Sequence, residues 1–364
     1  MISLRNVSKQ YVNTSGAAVN DLSMDVLEGE TVVLVGPSGC GKTTTMKMIN
    51  RLIEPTSGSI EVNGTDVLKQ DPVLLRRGIG YVIQTVGLMP HRTVEQNIAT
   101  VPRLVGWDRQ RTHDRVRELA RLLELDTELL NRYPGELSGG QRQRVGVARA
   151  LAVDPPVMLM DEPFAAVDPI VRGRLQDQFL DIQERIKKTI VFVTHDIDEA
   201  IKLADRIAIL NMGGVIEQYA PPEEILRAPA SEFVKQFVGV ERGLKRLALI
   251  SVSDIKVEEG PVVPPAATAD EAKRQMERFG ADWVSVVDGD QLLGWVDRSM
   301  VDGARAVGQA GPRPFSAYVT ASSSLREALD SIVTSRTQVA VVVTEGQLYR
   351  GILTLERISK EIIS

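Results

Sequence analysis

Gly36-Pro37-Ser38-Gly39-Cys40-Gly41-Lys42-Thr43 fits the pattern G-x-x-x-x-G-K-[ST] without a mismatch. Glycines in such a loop let successive backbone N–H groups point inward at phosphate oxygens, and a following helix directs its positive end at the same anion. Lys42 adds a point charge for the outer phosphates, and the Thr43 hydroxyl is a ligand that suits Mg²⁺. The sequence therefore predicts a phosphate-binding loop that extends to Thr44.

The sequence around this loop alternates between strand and helix patterns. The valine-rich run Thr31–Val35 precedes the loop and Lys42–Arg51 reads as a helix after it, while Val157–Met160 and Ile190–Val193 are two more apolar runs that each follow a helical segment. Continuous apolar runs of this length are typical of strands buried on both faces of a parallel sheet. The alternation predicts an α/β fold. Further strands are predicted at Ile2–Val7, Leu22–Val26 and Ile79–Ile83 and in a hairpin from Ser59 to Val67 with its turn at Asn63-Gly64, and helix is predicted over most of 94–130.

Composition narrows the class of protein. The 364 residues suggest two or three domains, and 43 basic against 48 acidic residues give a net charge of −5, without the basic excess typical of nucleic-acid-binding proteins. A single cysteine excludes an intrachain disulfide, and with only three histidines it argues against a Cys/His zinc cluster. The absence of disulfide pairing favours a protein of the reducing cytoplasm. The longest apolar runs are strand-sized, so we expect neither a signal peptide nor a membrane-spanning helix. Work at a membrane would then require partner subunits.

Two carboxylates follow the predicted buried strand Val157–Met160. The carboxyl edge of an open α/β sheet is where ligands bind, so Asp161 is a candidate Mg²⁺ ligand and Glu162 a candidate base for an attacking water. The alternative is an acidic loop that merely follows a strand; the phosphate loop in the same chain favours the functional interpretation.

Leu137-Ser138-Gly139-Gly140-Gln141 opens a predicted helix at Arg142–Ala152. Ser138 is a good N-cap and the glycines permit close backbone approach, so this helix end is a second candidate anion site. An ordinary capped helix is the alternative, and the motif taken alone favours that alternative.

The order of these motifs resembles the nucleotide-binding subunit of an ATP-binding cassette (ABC) transporter, over Met1 to about Val238. The resemblance implies a RecA-like parallel-sheet core with an antiparallel β subdomain and a helical subdomain, and it implies ATP and Mg²⁺ as ligands. Tyr11 would stack on adenine, Gln84 would contact Mg²⁺ and the attacking water, and His195 would contact the γ-phosphate. Asp168 would be the aspartate of the D-loop, which spans 164–168 here.

The same resemblance implies a head-to-tail homodimer. ATP would lie on the phosphate loop of one subunit and under Ser138–Gln141 of the other, so that ATP binding closes the dimer and hydrolysis opens it. The partners implied are two integral-membrane permease subunits, contacted near Gln84, and indirectly an extracytoplasmic substrate-binding protein. The expected location is the cytoplasmic face of the cell membrane, as a peripheral protein, with no nucleic-acid partner.

Further segments are similar to the ATPase subunits of quaternary-amine importers, which take up glycine betaine, carnitine, choline or proline betaine. These segments include 81–84, 101–104, 132–137 and 161–164. The C-terminal region shows two α-β-β repeats, with turns at Gly289-Asp290 and Glu345-Gly346, and resembles a tandem cystathionine-β-synthase (CBS) pair. We predict an ATPase domain over 1–238 and a regulatory domain over 239–364, with repeats at about 247–303 and 312–364.

The CBS repeats depart from the nucleotide-binding pattern. That pattern places an aspartate six residues after a glycine, where this chain has Met300 and Arg357, and Asp297 replaces the usual hydroxyl that Thr354 keeps. The departures argue against adenosine-nucleotide binding in the usual mode and leave a regulatory or dimerising role with an open ligand.

Three other functions are compatible with parts of the sequence. An importer for another small solute would share every ATPase motif. A soluble ABC protein of translation or DNA repair would usually fuse two cassettes or insert a long coiled coil, and this chain shows one cassette and no such insertion. A ligand sensor with a degenerate cassette is opposed by the intact motifs.

Overall fold

The computed structural model describes residues 1–12, 16–84, 87–165, 167–316, 318–344 and 346–363. The chain divides into two compact units, Met1–Gly239 and Val240–Ser364. Ala166 of the predicted D-loop and Glu345 of a predicted turn lie outside the described residues. In the described ranges, no helix combines the length and the apolar character needed to cross a membrane.

The N-terminal unit contains ten strands and ten α-helices among its described residues. The strands are β1 Ile2–Gln10, β2 Ala17–Val26, β3 Thr31–Val35, β4 Ser57–Val62, β5 Thr65–Asp66, β6 Ile79–Val82, β7 Val157–Asp161, β8 Thr189–Val193, β9 Arg206–Asn211 and β10 Val215–Ala220. The helices are α1 Lys42–Ile49, α2 Pro72–Arg77, α3 Val94–Ile98, α4 Thr100–Leu104, α5 Arg109–Leu122, α6 Gly139–Leu151, α7 Pro169–Ile186, α8 Ile197–Leu203, α9 Pro222–Arg227 and α10 Glu232–Val238.

A six-stranded sheet in the order β10-β9-β3-β8-β7-β6 forms the core of this unit. All its neighbouring strands run parallel except the edge strand β10, which is antiparallel to β9. Every residue of β3, β7 and β8 is buried, as their continuous apolar sequences predict. The parallel-sheet α/β fold is thus confirmed, and it places the carboxyl ends of β3, β8, β7 and β6 side by side.

An antiparallel sheet in the order β2-β1-β4-β5 accompanies the parallel one. Asn63 and Gly64 form its predicted hairpin turn, both with positive φ, but the returning strand is only Thr65–Asp66 and Val67 lies beyond it. Leu4 and Ile60 of this sheet share one apolar core with Leu34 of the parallel sheet. The two sheets therefore stabilise each other.

Helices α3 to α6 form the predicted helical region, together with 3₁₀ turns at Thr127–Asn131 and Pro134–Glu136. Ser138 is the N-cap of α6 as predicted, and its side chain accepts from the N–H of Gln141, so the helix begins at Gly139 and includes the glycines before the predicted segment Arg142–Ala152. Strand β6 ends at Val82, one residue earlier than expected.

The C-terminal unit repeats one pattern twice. Its strands are β11 Val262–Val263, β12 Trp283–Asp288, β13 Gln291–Asp297, β14 Tyr318–Val319, β15 Ala340–Val343 and β16 Tyr349–Leu353. Its helices are α11 Arg242–Leu247, α12 Ala269–Phe279, α13 Arg298–Val301, α14 Leu325–Thr334 and α15 Leu355–Ile363, with 3₁₀ turns at Val252–Asp254 and Val307–Ala310.

Each repeat builds a three-stranded sheet from a short parallel strand and an antiparallel hairpin, β11-β12-β13 and β14-β15-β16. The helix between the first two strands opens on a capping box in both cases, at Thr268 in the first repeat and Ser324 in the second. Trp283 and Trp295 of one repeat pack in a cluster with Val341 and Ile352 of the other. The tandem α-β-β arrangement predicted from the sequence is confirmed.

Candidate active site

The predicted phosphate loop connects β3 to α1 and depends on two glycines. A Cβ on Gly36 would collide with the carbonyl oxygen of Leu210, and one on Gly41 would collide with the carbonyl oxygen of Ala18. Gly41 also has φ 107°, in the region that favours glycine, and is the N-cap of α1. The loop therefore curls as tightly as the sequence motif predicts.

Lys42 lies inside this loop, with only 6% of its surface exposed. Its Nζ donates hydrogen bonds to the carbonyl oxygens of Gly36 and Pro37, at 2.7 and 3.0 Å, and lies 3.7 Å from the Sγ of Cys40. In the described chain these partners are neutral, so the positive charge is left for an anion. Ser38, Gly39, Gly41, Lys42, Thr43, Thr44 and Glu162 line an open cavity here.

Asp161 and Thr43 meet at the carboxyl end of β7. The Thr43 hydroxyl donates to Oδ1 of Asp161 at 3.0 Å. Burial raises the pKa of Asp161, and the hydrogen bond from Thr43 opposes that rise. A hydroxyl and a carboxylate held together are the oxygen donors that Mg²⁺ prefers, so this donor set fits the predicted metal.

Glu162 follows Asp161 and is held in place by its own backbone. It adopts φ 45°, and its N–H donates to the carbonyl oxygen of Val193 at 2.9 Å. Its Oε2 accepts a hydrogen bond from Nε2 of Gln84 at 3.1 Å and lies 3.3 Å from Nδ1 of His195. The structure thus brings together three predicted residues from the ends of β6, β7 and β8.

A buried polar cluster behind His195 was not predicted from the sequence. Glu199 on α8 is 6% exposed, accepts a hydrogen bond from Nε2 of Gln176 at 3.1 Å, and has its pKa raised by burial. Arg172 donates to the carbonyl oxygen of Val167 at 3.1 Å and lies 3.9 Å from Asp196, the N-cap of α8. The sequence signal that could have revealed this cluster is the position of the Glu199 carboxylate on the apolar face of α8, beside Ala200.

Ser138 and Gln141 form the amino end of α6 as a reciprocal capping box. Ser138 accepts from the Gln141 N–H at 3.2 Å, and Gln141 accepts from the Ser138 N–H at 2.8 Å. In the described part of the chain each side chain bonds to the backbone N–H of the other residue and not to the phosphate loop. This second helix end, with the exposed Gly139, is therefore available to a ligand held by another molecule.

The two remaining predicted residues lie at element ends. Tyr11 follows β1, is 40% exposed and has the Nζ of Lys9 5.5 Å from its ring centroid. Its neighbour Gln10 pairs with Ala17, and Ala18 abuts Gly41, so Tyr11 is at the end of the hairpin that borders the phosphate loop. Asp168 is exposed and directly precedes α7.

This arrangement can bind a polyphosphate and activate water beside it. The curled loop and Lys42 supply donors and positive charge, and the Glu162 carboxylate adjoins the same cavity. A carboxylate with a glutamine amide and an imidazole at hydrogen-bond distance is suited to take a proton from water.

Comparison with known proteins shows which families this chain resembles. The model of the ABC transporter family matches residues 19–165, and the CBS domain model matches residues 252–304 and 309–364. The osmoprotectant import ATP-binding protein OsmV of Salmonella typhimurium is 46% identical over 370 residues, covering 100% of this chain and 97% of that protein. The glycine betaine/carnitine/choline transport ATP-binding protein OpuCA of Bacillus subtilis is 51% identical over 304 residues, covering 83% of this chain and 80% of that protein.

A solved structure supports the same assignment. A dimeric ATP-binding cassette in a post-hydrolysis state, bound to ADP and Pi, is 33% identical with a TM-score of 0.56, over 61% of this chain and 99% of that one. Identity of this degree along nearly the whole of a curated relative establishes common descent, and the resemblance found in the sequence is confirmed. The chain therefore belongs to the ATP-binding proteins of ABC transporters, as an ABC ATPase that carries a C-terminal pair of CBS domains.

Proposed function

We propose that this chain hydrolyses ATP to power the import of quaternary-amine osmoprotectants, of the glycine betaine, carnitine and choline class. The single observation that carries the hydrolytic role is the contact of Glu162 with both Gln84 and His195 at the edge of the phosphate cavity. The solute class is supported by the names of relatives at 46% and 51% identity. An importer of another small solute, or an ABC ATPase without a transport role, would carry the same site.

In the proposed mechanism the chain's own residues bind the phosphates of ATP, orient the attacking water and remove its proton. The loop 36–44 cradles the phosphates, with Lys42 stabilising the charge that builds on them. Glu162 accepts a proton from the water that attacks the γ-phosphate, Gln84 orients that water, and His195 contacts the γ-phosphate. ATP and water become ADP and phosphate. Mg²⁺, held by Thr43 and Asp161 with Gln84 beside them, would neutralise phosphate charge when bound.

The proposed working unit is a head-to-tail homodimer. The amino end of α6, from Ser138 to Gln141, would cover the nucleotide on the phosphate loop of the partner, while Tyr11 stacks on the adenine and Asp168 lies at the interface. The self-contained capping box supports this proposal, because it uses the N–H groups of Ser138 and Gln141 and leaves those of Gly139 and Gly140 for an anion. The dimeric cassette at 33% identity is a precedent in a relative.

We infer that two membrane permease subunits dock near Gln84 at the cytoplasmic face of the membrane, and that a substrate-binding protein outside delivers the solute. The names of the relatives, which are transport ATP-binding proteins, support such an assembly. Within the chain, residues 1–238 are the proposed ATPase and residues 239–364 the proposed regulatory domain. We propose no nucleic-acid partner.

Uptake measurement tests this proposal. Cells that lack their own osmoprotectant uptake receive the chain with the permease and binding-protein genes that neighbour it, and accumulation of labelled glycine betaine, carnitine and choline is measured. We expect uptake with the natural chain and none with Glu162→Gln. Glu61→Gln, which changes an exposed glutamate on β4, is the matched control and should transport normally. Uptake that persists in the Glu162 variant would contradict the energising role, and ATP hydrolysis without any such uptake would contradict the solute class.

A further inference from the structure

A cavity of about 70 Å³ lies in the N-terminal unit where α6, α7 and β7 meet. Apolar side chains make up most of its wall, and they come from all three elements. The main ones are Val147, Leu151, Met158, Met160, Phe164 and Phe179. A concave apolar space of this kind is the ordinary form of a small-molecule site when a few polar groups point into it.

Gln143 supplies such a polar group. It is on α6, is 3% exposed and lines the cavity. Its Nε2 has no hydrogen-bond partner in the described chain. A buried amide that donates to nothing loses the bonds it made with water and gains none in return. The mostly apolar wall therefore carries one buried donor that has no partner in the described chain.

Three polar side chains at the rim of the cavity pair with one another, and its two remaining charged side chains, Asp181 and Arg185, are exposed and opposite in sign. Gln178 donates from Nε2 to Oε2 of Glu124 at 2.6 Å, and Nη1 of Arg144 lies 3.9 Å from the same oxygen. These side chains satisfy one another, so they do not call for a charged ligand. The chemistry of the cavity favours a neutral molecule.

We propose that this cavity binds a small, neutral, largely apolar molecule with one hydrogen-bond acceptor, which receives the Nε2–H of Gln143. A ketone, ester or ether group on a compact hydrocarbon body meets this description. The body would contact the apolar wall, and the acceptor would bind the one buried donor of the described cavity wall that has no partner. The site lies apart from the phosphate loop and goes beyond the proposed function.

The position of the cavity connects it to both halves of the proposed ATP site. Met160 directly precedes Asp161, and Phe164 is two residues after Glu162. Gln143 belongs to the first turns of α6, which Ser138 caps. A ligand that contacts both walls stabilises their present arrangement and opposes relative movement of α6 and β7 during turnover. We therefore expect the bound molecule to slow ATP hydrolysis.

A pair of matched probes tests the binding. Cyclopentanone and methylenecyclopentane have nearly the same shape, but only the ketone carries an acceptor. Ligand-observed NMR titration of the full chain should show the ketone binding about tenfold more tightly, the affinity equivalent of one buried hydrogen bond. Gln143→Leu keeps the volume and removes the donor, so it should abolish this preference. Val147→Trp should fill the cavity and abolish the binding of both probes.

Each result of these titrations either supports or contradicts the proposed ligand contact. Equal affinity for the two probes, or binding of neither, would overturn the proposal. A ketone preference that survives Gln143→Leu would overturn the assigned contact, and this variant decides the question even if the tryptophan variant does not fold. A cyclopentanone concentration that just saturates the natural chain should lower its ATP hydrolysis about fivefold, and should lower that of the more weakly binding Gln143→Leu by less. The NMR result does not depend on hydrolysis, so its failure is distinguishable from a failure of the proposed function.

Discussion

At the scale of single residues, the catalytic proposal depends on Glu162. Its left-handed backbone and its N–H bond to Val193 aim the carboxylate at Gln84 and His195. A glutamine there keeps the shape and loses the base. We expect Glu162→Gln to lower the rate of ATP hydrolysis by about 10²–10⁴-fold, the usual contribution of a general base.

Phosphate release and nucleotide affinity, measured on the same preparations, check this expectation. ATP should still bind, because Lys42 and the loop are untouched. Glu61→Gln on the surface of β4 is the control and should hydrolyse ATP at the natural rate. Hydrolysis at the natural rate in Glu162→Gln would show that another group is the base.

Asp161 gives a prediction about pH. Burial raises the pKa of its carboxyl in the folded protein, so protonation favours the folded state. Its contribution to stability is therefore present below the unfolded pKa of about 4 and is lost as the pH rises through the folded pKa. The isosteric, neutral Asp161→Asn should raise the Tm of the nucleotide-free protein near neutral pH, and this gain should shrink toward about pH 4.

Thermal unfolding over a pH series, without nucleotide or Mg²⁺, measures the effect. Thr43 offers a hydroxyl to either side chain, so the local hydrogen bond survives the substitution. A gain in Tm that is the same at every pH would mean that the ionised carboxylate is not the cause.

At the scale of elements, the amino end of α6 both stabilises the fold through its cap and is the proposed contact with the partner's nucleotide. Its capping box satisfies the N–H groups of Ser138 and Gln141 within one chain. Ser138→Ala removes one half of that box and should cost about 1 kcal/mol of unfolding free energy. In a Glu162→Gln background it should also weaken dimerisation driven by MgATP, because the proposed contact with the partner's nucleotide is lost.

Thr93→Ala is the matched control for this substitution. Thr93 caps α3 with the same reciprocal box, through Gln96, at a helix end that has no proposed nucleotide contact. Urea unfolding should show similar losses for both variants, while light scattering should show impaired dimerisation for Ser138→Ala alone. Equal impairment in both would attribute the effect to stability and not to the contact.

At the scale of the whole molecule, each unit has its own core. The clusters of the C-terminal unit are composed of residues from 247 onward, and the large core of the N-terminal unit ends at Leu210. A chain that ends at Gly239 should therefore fold and hydrolyse ATP. If the CBS pair regulates the ATPase, the hydrolysis rate of the truncated chain should depend on ionic strength differently from that of the full chain.

Circular dichroism and ATP hydrolysis over a salt series, with the full chain alongside, test the truncation. A truncated protein that folds but does not hydrolyse ATP would contradict the assignment of the ATPase to the N-terminal unit and of regulation to the C-terminal unit. Identical salt profiles for both proteins would contradict regulation by ionic strength through the C-terminal unit.

Local sequence determined much of this protein. The positive φ of Gly41, the β-branched runs of β3 and β8, and the caps at Ser138, Thr268 and Ser324 are local features that act within a few residues of themselves. Their preferences come from backbone sterics, side-chain branching and short-range hydrogen bonds, which a linear pattern reveals. The fold class, the tandem repeat and the phosphate loop could therefore be predicted from the sequence.

Tertiary structure alone decided which side chains meet. Gln84 and Glu162 are 78 residues apart in sequence, and only the adjacency of β6 and β7 in the sheet brings them into contact. The burial of Glu199 and the unmet donor of Gln143 likewise depend on which elements pack against α8 and α6. Contacts between distant segments follow from strand order and helix packing, which no local preference specifies, and for that reason the sequence named the candidate residues while the fold assembled them into a site.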